Sequence, residues 1–350
     1  LSSGIDSTVL ACLMRNKSSS DIYSFTYDFK DSKNGESLIS NITAKELGLK
    51  RVECDPLTID YVRDNLEKVI TWQDEPITSI RTIAQHYIHQ LAAKEDCRII
   101  IEGNGGDEIF GGYYHYKFAR LLDQLLDINR ETKELFKLNS DINTEELITG
   151  LRSVLIPGLC SKDATEVRNI SILNKEFRNQ YKVNSYKAIE KIETSDYSYT
   201  IKAQINDLFS IFLPRSLRYV DRSSMASGNE ARAPLLDHNV IEYGISSSFY
   251  NSTKNSEREI LRSMGENNIL KHINKNKNTI VDPQRDWLYG ELFEWALELI
   301  SASRNQISNF IEVDILIKNL YEEKDTWLRE RTGNSGSFMQ AINLAILLNN

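Results

Sequence analysis

Cysteine is scarce in this 350-residue chain, and the four that occur form no pattern. Cys12, Cys54, Cys97 and Cys160 stand far apart, without the close pairs of a zinc or redox motif. That argues against a disulfide framework and for free thiols in a reducing, cytoplasmic setting. A positive excess is missing too. The 42 lysines and arginines face 50 aspartates and glutamates, and the net charge of −8 argues against a nucleic-acid groove. Long apolar runs are absent; the longest, residues 341–348, reads as a packed C-terminal helix rather than a membrane span. There is no internal repeat and no targeting segment. Nor does the chain open with methionine. It starts abruptly where a preceding strand is expected, so residues upstream of Leu1 are expected as well.

The rest is ordinary globular material, 41% hydrophobic and 26% charged, with length for one large core or two modest ones. The informative stretch is the first one, Leu1-Ser2-Ser3-Gly4-Ile5-Asp6-Ser7. Small residues and a glycine make a turn that runs into Val9, Leu10, Leu13 and Met14 at helical spacing. A turn feeding a helix N-terminus points unpaired amides at one spot, and the helix dipole adds positive potential there. Phosphate suits such a place, and Ser2, Ser3 and Ser7 add hydroxyls. Asp6 would repel phosphate unless a metal ion stood between them. An ordinary helix start fits these residues alone equally well. The Gly-Lys-Ser/Thr ending of a Walker loop is missing.

Along the chain, strands are expected at 22–27, 50–54 and 98–101, and helices at 36–47, 59–72 and 80–94. Gly48 stands at a helix stop. Arg98-Ile99-Ile100-Ile101 reads as a buried parallel strand. This alternation indicates an α/β fold, a parallel sheet with helices on both faces. Ligands in such sheets bind off the carboxyl ends of the strands, so the turn at Ser2–Ser7 and the segment after Ile101 should lie together.

That segment is Glu102-Gly103-Asn104-Gly105-Gly106-Asp107-Glu108-Ile109-Phe110-Gly111-Gly112-Tyr113. Glycine lets backbone approach a ligand closely, and a carboxylate at a strand end can hold a cation. Asp6 and Asp107, 101 positions apart, are therefore expected at one metal site.

These blocks resemble the synthetase domain of the glutamine-hydrolysing asparagine synthetases, members of the PP-loop ATP pyrophosphatases. Ser2-Ser3-Gly4-Ile5-Asp6-Ser7 is similar to that family's Ser-Gly-Gly-x-Asp-Ser loop, with Ser3 in place of the first glycine. Gly103–Tyr113 resembles its Gly-x-Gly-x-Asp-Glu-x-Phe-Gly-Gly-Tyr segment. Asp221–Ala226 and Glu230–His238 resemble a third block, and Lys277 with Pro283 and Trp287 a weaker fourth.

The resemblance implies a PP-loop ATP-binding core over 1–125, a helical insertion or cap over 126–200, and a largely helical remainder over 201–350. It also implies a glutaminase domain, upstream of residue 1 or separate, supplying ammonia; a homodimer is left open. The implied reaction uses ATP and Mg²⁺. A carboxylate, most commonly aspartate, attacks the α phosphorus, and ammonia then displaces AMP from the acyl-adenylate. The nucleotide would lie on Leu1, Ser2, Ser3, Gly4, Asp6, Ser7 and Gly103, with the metal on Asp6 and Asp107. Asp107, Asn104 and Lys277 would stand at the chemistry, Lys277 stabilising the departing pyrophosphate. Glu108 either joins the metal or fixes the glycine loop.

Asn104 departs from the family, which usually carries a carboxylate there, or a tyrosine in lactam-forming relatives. A carboxamide has no accessible pKa and cannot act as the base. Another carboxylate such as Glu102 or Glu108 then serves, the nucleophile differs from ammonia, or activity is low. Glu230 and Arg232 either bind the amino-acid ends of the substrate or form a structural ion pair. His86 and His89, three apart on a helix, are a candidate metal pair lacking a third ligand. Tyr113, Tyr114 and Tyr116 read as packing residues. The competing readings are an amide or lactam ligase acting on another acid, a tRNA-modifying thiolase, and a catalytically silent ATP-binding homologue. The thiolase wants a reactive cysteine and a basic surface that this chain lacks.

Overall fold

The computed structural model describes residues 1–30, 36–126, 172–181, 197–209, 212–250, 258–264, 282–330 and 335–349. Expectations that fall elsewhere, including those on Cys160, Lys277 and most of 126–200, lie outside the described residues.

The first half alternates strands and helices as expected: α1 (Ile5–Lys17), β1 (Tyr23–Ser24), α2 (Ser37–Glu46), β2 (Lys50–Arg51), α3 (Ile59–Gln73), α4 (Arg81–Lys94) and β3 (Ile99–Ile101). Gly48 stops α2 with φ +61°, a backbone region that favours glycine. Thr58 caps α3, its side chain accepting from Tyr61 N, and Asp74 ends that helix in the left-handed region. Beyond β3 come α5 (Gly106–Phe110), α6 (His115–Leu126), α7 (Tyr199–Phe209), α8 (Leu213–Met225), β4 (Glu230–Arg232), α9 (His238–Tyr250) and α10 (Glu259–Ser263). The C-terminal part is helical, with α11 (Phe293–Ala302), α12 (Val313–Glu330) and α13 (Gly336–Asn349) the longer elements.

The strands pair in parallel, as expected, but in short pieces. The sheet is recorded among the described residues as two separate parallel pairs, β1 with β2 and β3 with β4, each strand two or three residues long. Beyond β1 and β2 the pairing continues only at intervals, Val52 N to Ser24 O at 3.0 Å and Leu57 N to Asp28 O at 2.8 Å. Phe25 O instead accepts the Leu1 nitrogen at 2.7 Å, so the chain start lies against this segment. One expectation needs correction, that of β3 as a buried strand. Ile99 is 62% exposed, because it opens the strand at its wet end rather than inside the sheet. Further on, the chain breaks between the short helix Gln284–Tyr289 and α11. At the break, a Cβ on Gly290 would stand 2.6 Å from Asp286 O.

Two cores hold the molecule. The larger joins the buried face of α3, with Val62, Leu66 and Ile70, to Phe293 and Ile300 of α11 and Phe338 and Ile342 of α13. At ~25 cal/mol per Å² of buried apolar surface, such side chains contribute roughly 1.5–3 kcal/mol each. The smaller joins Ile5, Val9 and Leu10 of α1 to Ile109 and Phe110 of α5 and to Leu208, Leu213, Leu235 and Leu261. That second core positions the site. It seats the start of α1 against α5 and brings the start of α10 to the same place. No described helix is long and apolar enough to cross a membrane.

Candidate active site

The opening turn is tied together by its own small side chains. Ser2 N donates to Ser7 Oγ at 3.1 Å, Gly4 N donates to Ser2 Oγ at 3.0 Å, and the two hydroxyls lie 2.8 Å apart. Gly4 is the N-cap of α1 with extended backbone and no side-chain cap, so the helix N-terminus is left to other partners. One is Glu36, whose carboxylate accepts from Ser3 N at 3.2 Å and lies 3.4 Å from Ser3 Oγ. Burial pushes the Glu36 carboxyl above its usual range, against the pull of the Ser3 amide. An internal carboxylate thus rests on an amide of the turn, as an external anion would.

The glycine loop is pressed onto this turn. A Cβ at Gly106 would stand 2.6 Å from Asp6 Cγ, and one at Gly103 would stand 3.1 Å from Ser7 N. Gly105 takes φ +91°, open to glycine and strained for other residues. The structure therefore brings Leu1, Ser2, Ser3, Gly4, Asp6 and Ser7 together with Gly103, Asn104 and Asp107.

Asp6 and Asp107 converge on one nitrogen. Arg258 Nη1 lies 2.8 Å from Asp6 Oδ2 and 3.1 Å from Asp107 Oδ1, and the guanidinium side chain is 5% exposed. Arg258 holds φ +55°, ψ +39°, a left-handed conformation that costs a non-glycine residue about 1–2 kcal/mol. Packing of Leu261, on the following helix, into the smaller core holds it there. The side chains of Asp6 and Asp107 are 15% and 17% exposed, so a cation between them is poorly screened. Among the described residues no three His, Cys, Asp or Glu side chains gather at a metal-binding distance. The protein brings two carboxylates to the spot, and that donor set suits an oxygen-loving cation completed by phosphate and water.

Glu108 turns inward. It is 4% exposed and accepts from Tyr113 OH at 2.8 Å, and burial raises its carboxyl to about 7. Gln204 Nε2 donates to the Glu108 and Ile109 carbonyls at 2.9 and 2.8 Å, fixing α5 from behind. Tyr116 is fully buried with its hydroxyl on Asp207 at 2.6 Å, whereas Tyr114 is half exposed. Packing describes Tyr113 and Tyr116.

On the other side of Gly103, Glu102 Oε2 accepts from Asn104 Nδ2 at 3.0 Å, while Glu102 Oε1 lies 3.3 Å from His89 Nε2. His86 and His89 do not share a ligand position. His86 packs on Trp72 with ring centroids 4.4 Å apart, and His89 Nδ1 contacts Asn229 Oδ1 at 3.0 Å. Glu230 and Arg232 pair with each other on β4, both more than half exposed. Their strand runs beside β3, with Glu102 N donating to Arg232 O at 2.8 Å.

Three residues escape the sequence reading. Arg258 and Glu36 carry no motif, lying 252 and 30 positions from Asp6, and nothing local marks them. For His89, the helical spacing points to His86, while its actual partner lies across the packing of α4 on β3.

The chain is similar to known proteins over most of its length. The chain is 26% identical over 332 residues to "Asparagine synthetase [glutamine-hydrolyzing] 1" of Bacillus subtilis, covering 91% of this chain and 51% of that protein. It is 24% identical over 342 residues to a "Putative asparagine synthetase [glutamine-hydrolyzing]" of Mycobacterium tuberculosis, covering 93% and 50%. It is also 22% identical over 364 residues to "Amidase chry2" of Gibberella zeae, covering 89% and 53%. The chain spans about half the length of these curated relatives. The family described as Asparagine synthase matches residues 1–347, and the chain belongs to that family.

Proposed function

We propose that this chain is the synthetase portion of an ATP-dependent amide-forming ligase. It adenylates an amino-acid carboxylate, foremost aspartate, and passes the acyl group to ammonia. The single observation that carries the reading is the convergence of Asp6 and Asp107 beside the serine turn, 2.8 and 3.1 Å from one cation. An arrangement built to neutralise phosphate needs both parts, and here they adjoin.

In this reading Leu1, Ser2, Ser3, Gly4 and Ser7 cradle phosphate with amides and hydroxyls, and Gly103 lies against the nucleotide. Mg²⁺ on Asp6 and Asp107 would supply charge neutralisation between two anionic reactants. Glu36 would yield the Ser3 amide when nucleotide enters. Glu230 and Arg232 flank the loop on β4 and are available to the ends of an amino acid if their mutual pairing opens. Lys277 would neutralise the leaving pyrophosphate, a task suited to a point charge. The acid's carboxylate oxygen attacks the α phosphorus, and the bond to pyrophosphate breaks. Ammonia then attacks the acyl carbon, and AMP leaves with its bonding pair.

The fold is read as a PP-loop core over 1–125 completed by 201–350, with 126–200 as a cap. A glutaminase domain elsewhere in the protein, or a separate one, would supply ammonia from glutamine. A specialised amide or lactam ligase acting on another acid is the second reading; Asn104, whose side chain cannot accept a proton, favours a nucleophile other than ammonia or low activity. The test is acid-dependent pyrophosphate release from MgATP over a panel of amino acids and other carboxylic acids. Aspartate giving the largest stimulation is the expected result; no stimulation by any acid defeats the proposal.

A further inference from the structure

Amide formation must place one proton. As the nitrogen lone pair attacks the acyl carbon and the C–O bond to AMP breaks, the nitrogen sheds an N–H proton. A base beside the glycine loop has to receive it. Asn104 has no accessible pKa. Glu108 points into the core under Tyr113 and is 4% exposed. Glu36 lies on the phosphate side, held to Ser3. Glu102 is different: its side chain is 20% exposed, and it sits directly before Gly103 at the end of β3.

The surroundings of His89 give Glu102 a second proton site. Asn229 Nδ2 donates to the His89 carbonyl at 2.8 Å, which fixes the amide so that Oδ1 faces the ring. Oδ1 only accepts, so His89 Nδ1, 3.0 Å away, carries a hydrogen. That leaves Nε2, fully buried, facing Glu102 Oε1 at 3.3 Å. A neutral ring would set its lone pair against a carboxylate oxygen. A proton received on Glu102 Oε1 can be shared across that gap with the Nε2 lone pair. The other carboxylate oxygen is oriented by Asn104 Nδ2 at 3.0 Å.

We infer that Glu102 is the base of the amide-forming step. It takes the proton shed by the nitrogen while His89 shares it through Nε2 and Asn104 aims the carboxylate; His89 and Asn104 are positioning residues. This rests on the synthetase reading above and adds to it the identity of the base. When AMP leaves, the electron pair goes with its phosphate oxygen and the proton stays on the Glu102–His89 pair until solvent removes it.

The test compares wild type, Glu102→Gln and the double variant Glu102→Gln/Asn104→Glu, following pyrophosphate release and amide formation separately. In Glu102→Gln, amide formed per pyrophosphate released should fall by about a hundredfold, the low end of general-base contributions. Acid-dependent pyrophosphate release in the first turnover should stay within about twofold. The double variant restores a carboxylate two positions away and should recover at least about tenfold of the amide yield, which a merely structural loss would not. An unchanged yield in Glu102→Gln overturns the inference alone. So does an equal fall of both readouts without rescue, which marks Glu102 as structural. Absence of acid-dependent pyrophosphate release in the wild type overturns the synthetase reading and this inference with it.

Discussion

Replacing Arg258 by methionine separates the cation from its two carboxylates while leaving the backbone problem unchanged. Methionine in the left-handed region is as strained as arginine, so the difference reports the guanidinium. The wild-type Nη1 stands 2.8 and 3.1 Å from Asp6 and Asp107, with the arginine 5% exposed. Breaking a buried pair by removing one partner costs about 3–5 kcal/mol. The carboxylates retain 15% and 17% exposure, which favours the lower end, about 3 kcal/mol. At an unfolding entropy of about 2.1 cal/mol/K per residue, a 350-residue chain gains about 0.7 kcal/mol/K. The variant should therefore melt about 4 °C lower in metal-free buffer. Magnesium gives the second half of the prediction. With the arginine gone, a divalent cation can take the position its guanidinium held between the two carboxylates. At a hundred times its dissociation constant it should restore about 2.7 kcal/mol, most of the lost melting temperature. Wild type, whose arginine already stands between the carboxylates, should gain less. Differential scanning calorimetry with and without Mg²⁺ reads both effects. Melting at the wild-type temperature, or an equal Mg²⁺ response in both proteins, would refute the assignment of Asp6 and Asp107 to one cation position.

Gly106→Ala tests the close approach of the loop. A Cβ 2.6 Å from Asp6 Cγ must reach at least 3.4 Å, so the carboxyl retreats by about 0.8 Å. Acid-dependent pyrophosphate release should drop about a hundredfold with the circular dichroism spectrum retained. Asn343, fully buried on α13, bonds Ile77 N and O at 2.9 and 2.7 Å. Asn343→Leu strands both backbone groups and should cost about 2–4 kcal/mol in urea unfolding. His86 is held down to about 4 by burial first and by Lys68 second. Its folded pKa lies below the unfolded one, so its contribution is complete above about 6.5 and is lost as pH falls through about 4. Its full span is about 3 kcal/mol. His86→Phe, which keeps a ring against Trp72, should flatten the acid limb of the stability curve between those values.

The sequence is most legible where the chemistry is local. The serine turn leading into α1 and the glycine loop leading into α5 are written in consecutive residues, because a tight approach to backbone or ligand admits only small side chains. Helix ends are legible for the same reason: Thr58 caps α3 and Gly48 stops α2. The sheet is less so. A run such as Ile99–Ile101 shows that a strand forms but not how deep it lies, and Ile99 opens it into solvent. Contacts over long separations between residues outside the motifs leave no trace in the sequence. Arg258 reaches Asp6 across 252 positions through the packing of Leu261, and His89 meets Glu102 because α4 packs beside β3. The helical spacing of His86 and His89 points instead to a shared metal, a pairing the neighbouring Trp72 and Asn229 rule out by claiming the two rings separately.

The reaction proposed for this chain joins a carboxylate to the α phosphorus of ATP, and oxygen labelling follows that bond itself. Aspartate labelled with ¹⁸O in its side-chain carboxylate is supplied with MgATP and ammonia, and the nucleotide products are weighed by mass spectrometry. Attack at the α phosphorus transfers one labelled oxygen to AMP, leaves pyrophosphate unlabelled and produces no ADP. Asp107→Asn should abolish that transfer. Unlabelled AMP, or label appearing in inorganic phosphate alongside ADP, would show that no bond to the α phosphorus forms.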